Sequence, residues 1–203
     1  MSVNTDQKIV IIDTGCANLS SLRFAVERLG YKVEVSFDEA VIKNADKVFL
    51  PGVGSANAAM HIINERKLIP IIKSLTQPVL GICLGMQLMT AFSKEGNVDC
   101  LQLIDEQVNP IQAEGLRLPH MGWNTLSSIS DHPIFSGITF DDYFYFVHSF
   151  CVSTSTNTLA TCDYGQTFAA SIGSGNFAGV QFHPERSGKA GAKIIKNFLE
   201  MKA

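Results

Sequence analysis

The chain is short of charge and of tryptophan. Of 203 residues, 17% are charged, the net charge is −3, and there is one tryptophan. No cluster of lysine and arginine builds the basic face that a nucleic acid requires, so nucleic-acid binding is not expected. No long uncharged apolar run is present, which argues against a membrane-spanning helix. The opening MSVNTDQK lacks the basic-then-apolar order of a secretion signal, and the cytoplasm is the expected compartment. Cysteine is sparse and odd in number: Cys16, Cys83, Cys100, Cys151 and Cys162, with no tight pairing. In a reducing compartment these are expected to be free thiols. Neither C-x-x-C nor H-x-x-x-H spacing occurs, so no metal site and no cofactor is expected. Repeats, low-complexity tracts and linkers are also missing, and residues 1–203 read as one domain, with residues 1–7 as a tail.

What is present is a β/α alternation. KIVIID (Lys8 to Asp13) is a buried-strand run. NLSSLRFAVERLG follows with Leu19, Leu22, Val26 and Leu29 at helical spacing, Asn18 as N-cap and Gly30 as stop. YKVEVSF and DKVFLPG read as the next strands. Ser55 to about Leu75 reads as helical, in two pieces because Pro70 interrupts it. PVLGIC is a fourth strand and LGMQLMTAF a helix. Strands alternating with helices imply right-handed crossovers and a mostly parallel sheet covered on both faces. From Leu101 to Pro184 the pattern changes to shorter β segments: LQLIDEQV, YFYFVHSFCV, TLATCDY, TFAASIG and FAGVQFHP. They predict an antiparallel or mixed extension, with a hairpin turn at Gly173 to Asn176. A last helix covers about Ala190 to Met201.

Cys83 falls where strand four hands over to a helix, in G-I-C-L-G. A turn that sharp crowds the residues two before and two after its apex, and Gly81 and Gly85 remove the offending side chains. The apex is then raised at the carboxyl edge of the sheet, where open α/β folds bind ligands. The helix N-terminus favours a thiolate there. The plain alternative is a buried free cysteine.

A cysteine nucleophile needs a base. Among five histidines, His61 reads as a surface residue and His132 as structural; His120 and His148 stand in aromatic company. His183 is the strongest candidate. It ends an apolar strand, GVQFHPER, with Glu185 two residues on. In an extended segment those side chains share a side, and Pro184 keeps His183 extended. Glu185 can then orient the imidazole as the third member of a triad. An oxyanion needs N–H donors. The Leu84 amide follows the nucleophile, and the PGVG glycines, Gly52 and Gly54, let the backbone approach a substrate closely. A dinucleotide loop is a poor match, because G-x-G-x-x-G is incomplete and follows strand three.

PGVG, then GICLGMQL, then FHPE resemble the class I (triad) glutamine amidotransferases. Four further blocks, IIDTGCANLSSL, LPHMGWN, YFYFVHSF and GVQFHPERSG, are similar to the glutaminase subunits of imidazole glycerol phosphate synthase in histidine biosynthesis. The likeness runs from about Lys8 to Met201. It implies a three-layer, flavodoxin-like α/β fold and hydrolysis of glutamine by Cys83, His183 and Glu185. It implies an oxyanion hole from Gly52, Val53 and Leu84, and substrate contacts by Gln87, His148, Ser149 and Phe150. It implies a heterodimer with a (β/α)₈-barrel cyclase subunit that receives the ammonia. Asn18, Pro119, Met121, Trp123 and Asn124 match surface facing that partner. Plain alternatives stand beside these: Gln87 as an ordinary helix polar residue, Trp123 and His148 as core. Relatives often carry tyrosine where this chain has Phe150, so that hydroxyl contact is missing. The rival functions are a glutaminase subunit of another amidotransferase, a cysteine hydrolase of the α/β-hydrolase type, and a catalytically silent binding module of the same fold. The α/β-hydrolase order of nucleophile, acid, histidine disfavours the hydrolase reading, because here the acid follows the histidine.

Overall fold

The structure, a computed structural model, describes residues 6–15 and 19–202. Its first half alternates β1 (Ile9–Ile12), α1 (Leu19–Arg28), β2 (Glu34–Ser36), α2 (Glu39–Lys43), β3 (Lys47–Gly52), α3 (Ala56–Glu65), α4 (Leu68–Lys73), β4 (Val79–Cys83) and α5 (Leu84–Leu88). Short strands follow: β5 (Phe92–Ser93), β6 (Val98–Asp99), β7 (Gln107–Pro110), β8 (His120–Thr125) and β9 (Ser128–Ile129). The chain ends with β10 (Tyr143–His148), β11 (Phe150–Val152), β12 (Thr158–Tyr164), β13 (Gln166–Ser174), β14 (Phe177–Val180) and α6 (Gly188–Glu200).

The main sheet runs β2-β1-β3-β4-β14-β13-β11-β7-β5-β6, with β12 added on β13 and β9 on β12. From β2 to β14 every pairing is parallel. Beyond β14 the pairings to β13, β11 and β7 are antiparallel, so the extension is mixed as expected. Strand alternation sorts the core into two layers. Ile9, Ile11 and Phe49 pack with α1 and α6, through residues such as Val26, Ile194 and Phe198. Val10, Ile12 and Leu50 pack with α2, α3 and α4, through Ile42, Ile63 and Ile72. Burying a side chain of this size stabilises by about 1.5–3 kcal/mol, so a one-residue slip of β1 would exchange both layers. No helix among the described residues is long and apolar enough to cross a membrane.

Several expectations need correction. The predicted helix from Ser55 to Leu75 does break, but at Arg66 and Lys67, where Lys67 takes φ 55°. Pro70 lies inside the first turn of α4, where its missing N–H has no helical acceptor to lose. α5 stops at Leu88 and does not reach Phe92. The carbonyls that would extend it are taken by the next loop: Leu101 N donates to Leu88 O, and Leu103 and Ile104 N donate to Met89 O. That also removes Leu101 to Glu106 from the strand expected there. YFYFVHSFCV is two strands, because His148 Nδ1 binds Phe150 O and kinks the chain at Ser149. β10 then leaves the main sheet to pair antiparallel with β8, a strand that the sequence pattern hides behind Pro119 and Gly122. α2 was likewise not expected; the Asp38 side chain caps it at Val41 N. Gln7 is no free tail, since its Nε2 donates to Leu199 O at 3.0 Å, while residues 1–5 lie outside the described residues.

Candidate active site

Three neighbouring strands of the parallel sheet end at one edge with Gly52, Cys83 and Val180. Gly52 pairs with Cys83, and Val180 pairs with Ile82, so Gln181 lies one step on, level with Cys83. Cys83 is the turn between β4 and α5, at φ 54° and ψ −112°. That half of the map costs an L-residue of order 1–3 kcal/mol, so the surroundings must enforce it. The glycines show how. A Cβ on Gly85 would lie 1.8 Å from Leu50 O, and one on Gly81 would lie 2.8 Å from Met86 N. A Cβ on Gly52 would meet Gly85 N at 2.9 Å. β3 and the elbow are thus in backbone contact, and only glycine fits between them.

Cys83 lines a cavity of about 320 Å³ together with Val53, Leu84, Gln87, His148 and His183. Ser149 and Phe150 line it as well, so the expected substrate segment surrounds one space. Leu84 opens α5, so its amide has no intrahelical acceptor. Gly54 sits at the cavity in open space with φ 92°. The sequence reading overlooked Glu95, which supplies a carboxylate to the cavity while its Oε2 accepts from Ala56 N at 2.9 Å. A lone acid in a loop carries no local signal.

His183 Nδ1 lies 2.8 Å from Glu185 Oε1, and each side chain is 8% exposed. The backbone reaches this differently from the expected extended segment. His183 is extended, at φ −98° and ψ 95°, but Pro184 opens a tight 3₁₀ turn that carries Glu185 back to the ring. Burial alone would lower the imidazole pKa. Interaction with the Cys83 thiol and with Glu185 outweighs it and holds His183 well above its ordinary value. The second carboxylate oxygen, Oε2, is buried without a partner among the described residues. His183 N donates to Tyr145 O at 2.9 Å, and Ser187 Oγ donates to His183 O and accepts from Tyr145 N, which pins β10 beside the imidazole.

A buried polar chain runs behind the cavity. Phe150 O accepts from His148 Nδ1 and from Gln87 Nε2, both at 2.9 Å. Gln87 Nε2 also donates to Gln181 Oε1 at 2.8 Å, and Gln181 Nε2 lies 3.8 Å from Cys83 Sγ. On the other side His148 Nε2 meets His120 Nδ1 at 3.0 Å, and Asn124 Nδ2 approaches His120 Nε2 at 3.4 Å. A backbone carbonyl only accepts, so Phe150 O fixes His148 as the Nδ1–H tautomer. His120 then donates through Nδ1 and accepts at Nε2. Burial lowers His120 to about 4 and His148 to about 3; for His148 the neighbouring His120 and His183 add to the effect.

The remaining expected residues divide. Met121 and Trp123 are 61% and 56% exposed on the outer face of β8, as an interface needs. Pro119 lines the cavity. Asn124 is engaged inward, with His120 and with Asp163 O at 3.0 Å. Asn18 lies outside the described residues. His61 is an exposed surface residue beside Glu65, and His132 has a structural role, capping the turn at Ile134.

The family model "Glutamine amidotransferase class-I" matches residues 10–201. A protein of Photobacterium profundum named imidazole glycerol phosphate synthase subunit HisH is 55% identical, over 98% of this chain and 99% of its own. The protein of the same name from Haemophilus influenzae is 59% identical, over 95% and 96%. A solved glutamine amidotransferase structure superposes with a TM-score of 0.73 at 16% identity, covering 94% of this chain and 97% of its own, a likeness of fold alone. With the family model matched over residues 10–201 and relatives more than half identical over nearly their whole length, the chain belongs to the class-I glutamine amidotransferase family.

Proposed function

We propose that this chain is the glutaminase subunit of imidazole glycerol phosphate synthase in histidine biosynthesis, as one domain, with Cys83, His183 and Glu185 as its triad. The observation that carries the reading is the meeting of Cys83 and the His183–Glu185 pair at one cavity.

The Cys83 sulfur attacks the side-chain amide carbon of glutamine, and the carbonyl oxygen becomes an oxyanion. The Leu84 amide and the Gly52–Val53 strand supply its donors. As the C–N bond breaks, His183 gives its proton to the nitrogen, which leaves as ammonia. A water then attacks the thioester carbon, His183 takes its proton, and the C–S bond breaks to release glutamate and restore Cys83. Glu185 holds the ring and stabilises its cation. Glu95 and the carbonyl oxygen of Gln87 suit the ammonium group of the substrate.

The partner is a (β/α)₈-barrel cyclase seated on the Met121 and Trp123 face, close to the rim of the cavity at Pro119. There ammonia reacts with a phosphoribulosyl-formimino aminoimidazole carboxamide ribotide to give imidazole glycerol phosphate, an aminoimidazole carboxamide ribotide and water. A glutaminase running alone would waste glutamine. Gly54, in open space after the oxyanion strand, lets a peptide there reorient at small steric cost, so the strand is set only when the loaded partner binds.

The test is trapping of Cys83 by a chloroketone analogue of glutamine, read by mass spectrometry, with glutaminase assays with and without the barrel subunit and its nucleotide ligand. Label on Cys83 and a large rise with the loaded partner are expected. Label on another thiol, or a free subunit at full rate, overturns the corresponding part of the reading.

A further inference from the structure

Gln181 is fully buried in an apolar run, between Val180 and Phe182. A polar side chain there must satisfy its groups or destabilise the fold. Its surroundings fix which way round it sits. Phe150 O takes one hydrogen of Gln87 Nε2, which forces the amino end of Gln87 inward. The second hydrogen of that nitrogen then faces Gln181 Oε1 at 2.8 Å. Gln181 must therefore present its oxygen to Gln87 and its amino group to Cys83 Sγ, 3.8 Å away. One backbone carbonyl sets the direction of both amides. Gln87 is left with its Oε1, which meets no donor among the described residues, and Gln87 lines the cavity.

We propose that Gln181 is a further catalytic residue: its amide N–H supports the anionic form of the Cys83 sulfur, and its carbonyl turns Gln87 so that an acceptor faces the substrate. The inference rests on Cys83 being the nucleophile. The Val147 carbonyl, 4.0 Å from the sulfur, can accept only from the thiol, so the thiolate gains from a donor fixed on another side. The donor is preorganised, because the opposite end of the same amide is already tied. The two effects are separable, since one belongs to the nitrogen and the other to the oxygen of one side chain.

The experiment uses two variants of the full chain. Gln181→Glu keeps an acceptor for Gln87 and loses the donor; Gln181→Met loses both. The readout is the pH profile of Cys83 alkylation by iodoacetamide, with glutamine turnover measured alongside the partner subunit. The titratable groups around the sulfur are His183, with Glu185 bonded to the far side of its ring, His148 from β10 and Glu95 across the cavity; both variants leave them in place, and Gln181→Met, which adds no charge of its own, is the variant whose midpoint decides. Both should move the alkylation midpoint up by one pH unit or more and lower kcat tenfold or more. KM should rise several-fold in Gln181→Met and little in Gln181→Glu. Folded variants with the wild-type midpoint overturn the proposal. Should neither variant fold, the side-chain amide protons of Gln181 in the wild type are followed by NMR through the Cys83 titration. Movement with the sulfur supports the proposal and constancy overturns it. Failure of wild-type Cys83 to react with the glutamine chloroketone would instead remove the nucleophile itself.

Discussion

His183 and Glu185 are joined by a 2.8 Å bond from Nδ1 to Oε1 with only Pro184 between them in sequence. The proline serves both ends of this arrangement. It keeps His183 extended and starts the 3₁₀ turn that folds Glu185 back. The pair is therefore built within three residues, and the remainder of the fold has only to bring Cys83 to it.

Glu185→Gln tests the pair directly. The neutral amide preserves the shape but no longer stabilises an imidazolium. Glutamine hydrolysis should fall by about 10²–10⁴ in kcat with a small change in KM. Activity within threefold of wild type would remove the orienting role. Product formation by the complex should return when ammonia is supplied in place of glutamine.

Thiol chemistry should separate Cys83 from three other cysteines. Burial pushes Cys100 and Cys151 up to about 11 and Cys162 up to about 12. Those three are thiols at neutral pH and unreactive. Cys83 lines the cavity beside a charged imidazole. Brief iodoacetamide treatment at pH 7 should modify Cys83 well ahead of the other three, as read by peptide mapping.

Two glycines should respond differently to alanine. A Cβ on Gly85 would stand 1.8 Å from Leu50 O, a backbone atom that cannot swing away. Gly85→Ala should destabilise by at least about 3 kcal/mol, by displacing β3 from the elbow. Gly54 has open space, and only its φ of 92° opposes a side chain. Gly54→Ala should cost about 1–2 kcal/mol, with its larger effect on activation by the partner. Denaturant melts and glutaminase assays check both.

The neutral His120–His148 pair makes the fold sensitive to acid. Both groups have folded pKa values below the unfolded value near 6.5. Stability is full above that value and falls as pH drops from about 6.5 towards 4, because the unfolded chain takes up protons that the folded pair refuses. His183 is shifted the opposite way: its contribution rises as pH falls from 7 through 6.5 and is full below about 5.5, so it offsets part of the loss in the upper part of this window and adds no slope below it. The loss at pH 5 should be on the order of 1–2 kcal/mol per histidine. Denaturant melts at pH 7 and 5 measure it, and His120→Gln should flatten the difference. An unchanged difference would show that the pair is charged in the folded state.

Trp123 is half exposed on the outer face of β8, with the Tyr145 ring edge-on beside it. Trp123→Ala should leave the melting temperature of the free chain nearly unchanged and weaken association with the barrel subunit tenfold or more. Calorimetric titration reads the affinity. Equal affinity would move the interface elsewhere.

Part of the site was legible before the fold. Gly81 and Gly85 around Cys83 marked an elbow, because only a close backbone approach asks for glycine at both places. Leu84 followed as the next amide, whereas Val53 and Gln87 came only from the likeness to the glutaminases; all three line the cavity. What escaped was decided across the chain. Gln181 stood in plain view as a polar residue inside an apolar strand, but its meaning depends on Phe150 O, which orients Gln87 first. Glu95 and Pro119 reach the cavity from loops with no local pattern. Asn124 reads as surface until His120 and the Asp163 carbonyl are found to hold it.

The sequence alone determined the strand–helix alternation, the two-sided burial of the parallel strands, the elbow at Cys83 and the short His183–Glu185 unit. Each depends on neighbours within a few residues, where sterics and periodicity act directly. Tertiary structure alone decided where α5 ends, why the YFYFVHSFCV run divides between two sheets, and which way the buried amides face. Those outcomes turn on carbonyl oxygens claimed by groups far along the chain, and a hydrogen bond between distant segments leaves no periodic trace in either one.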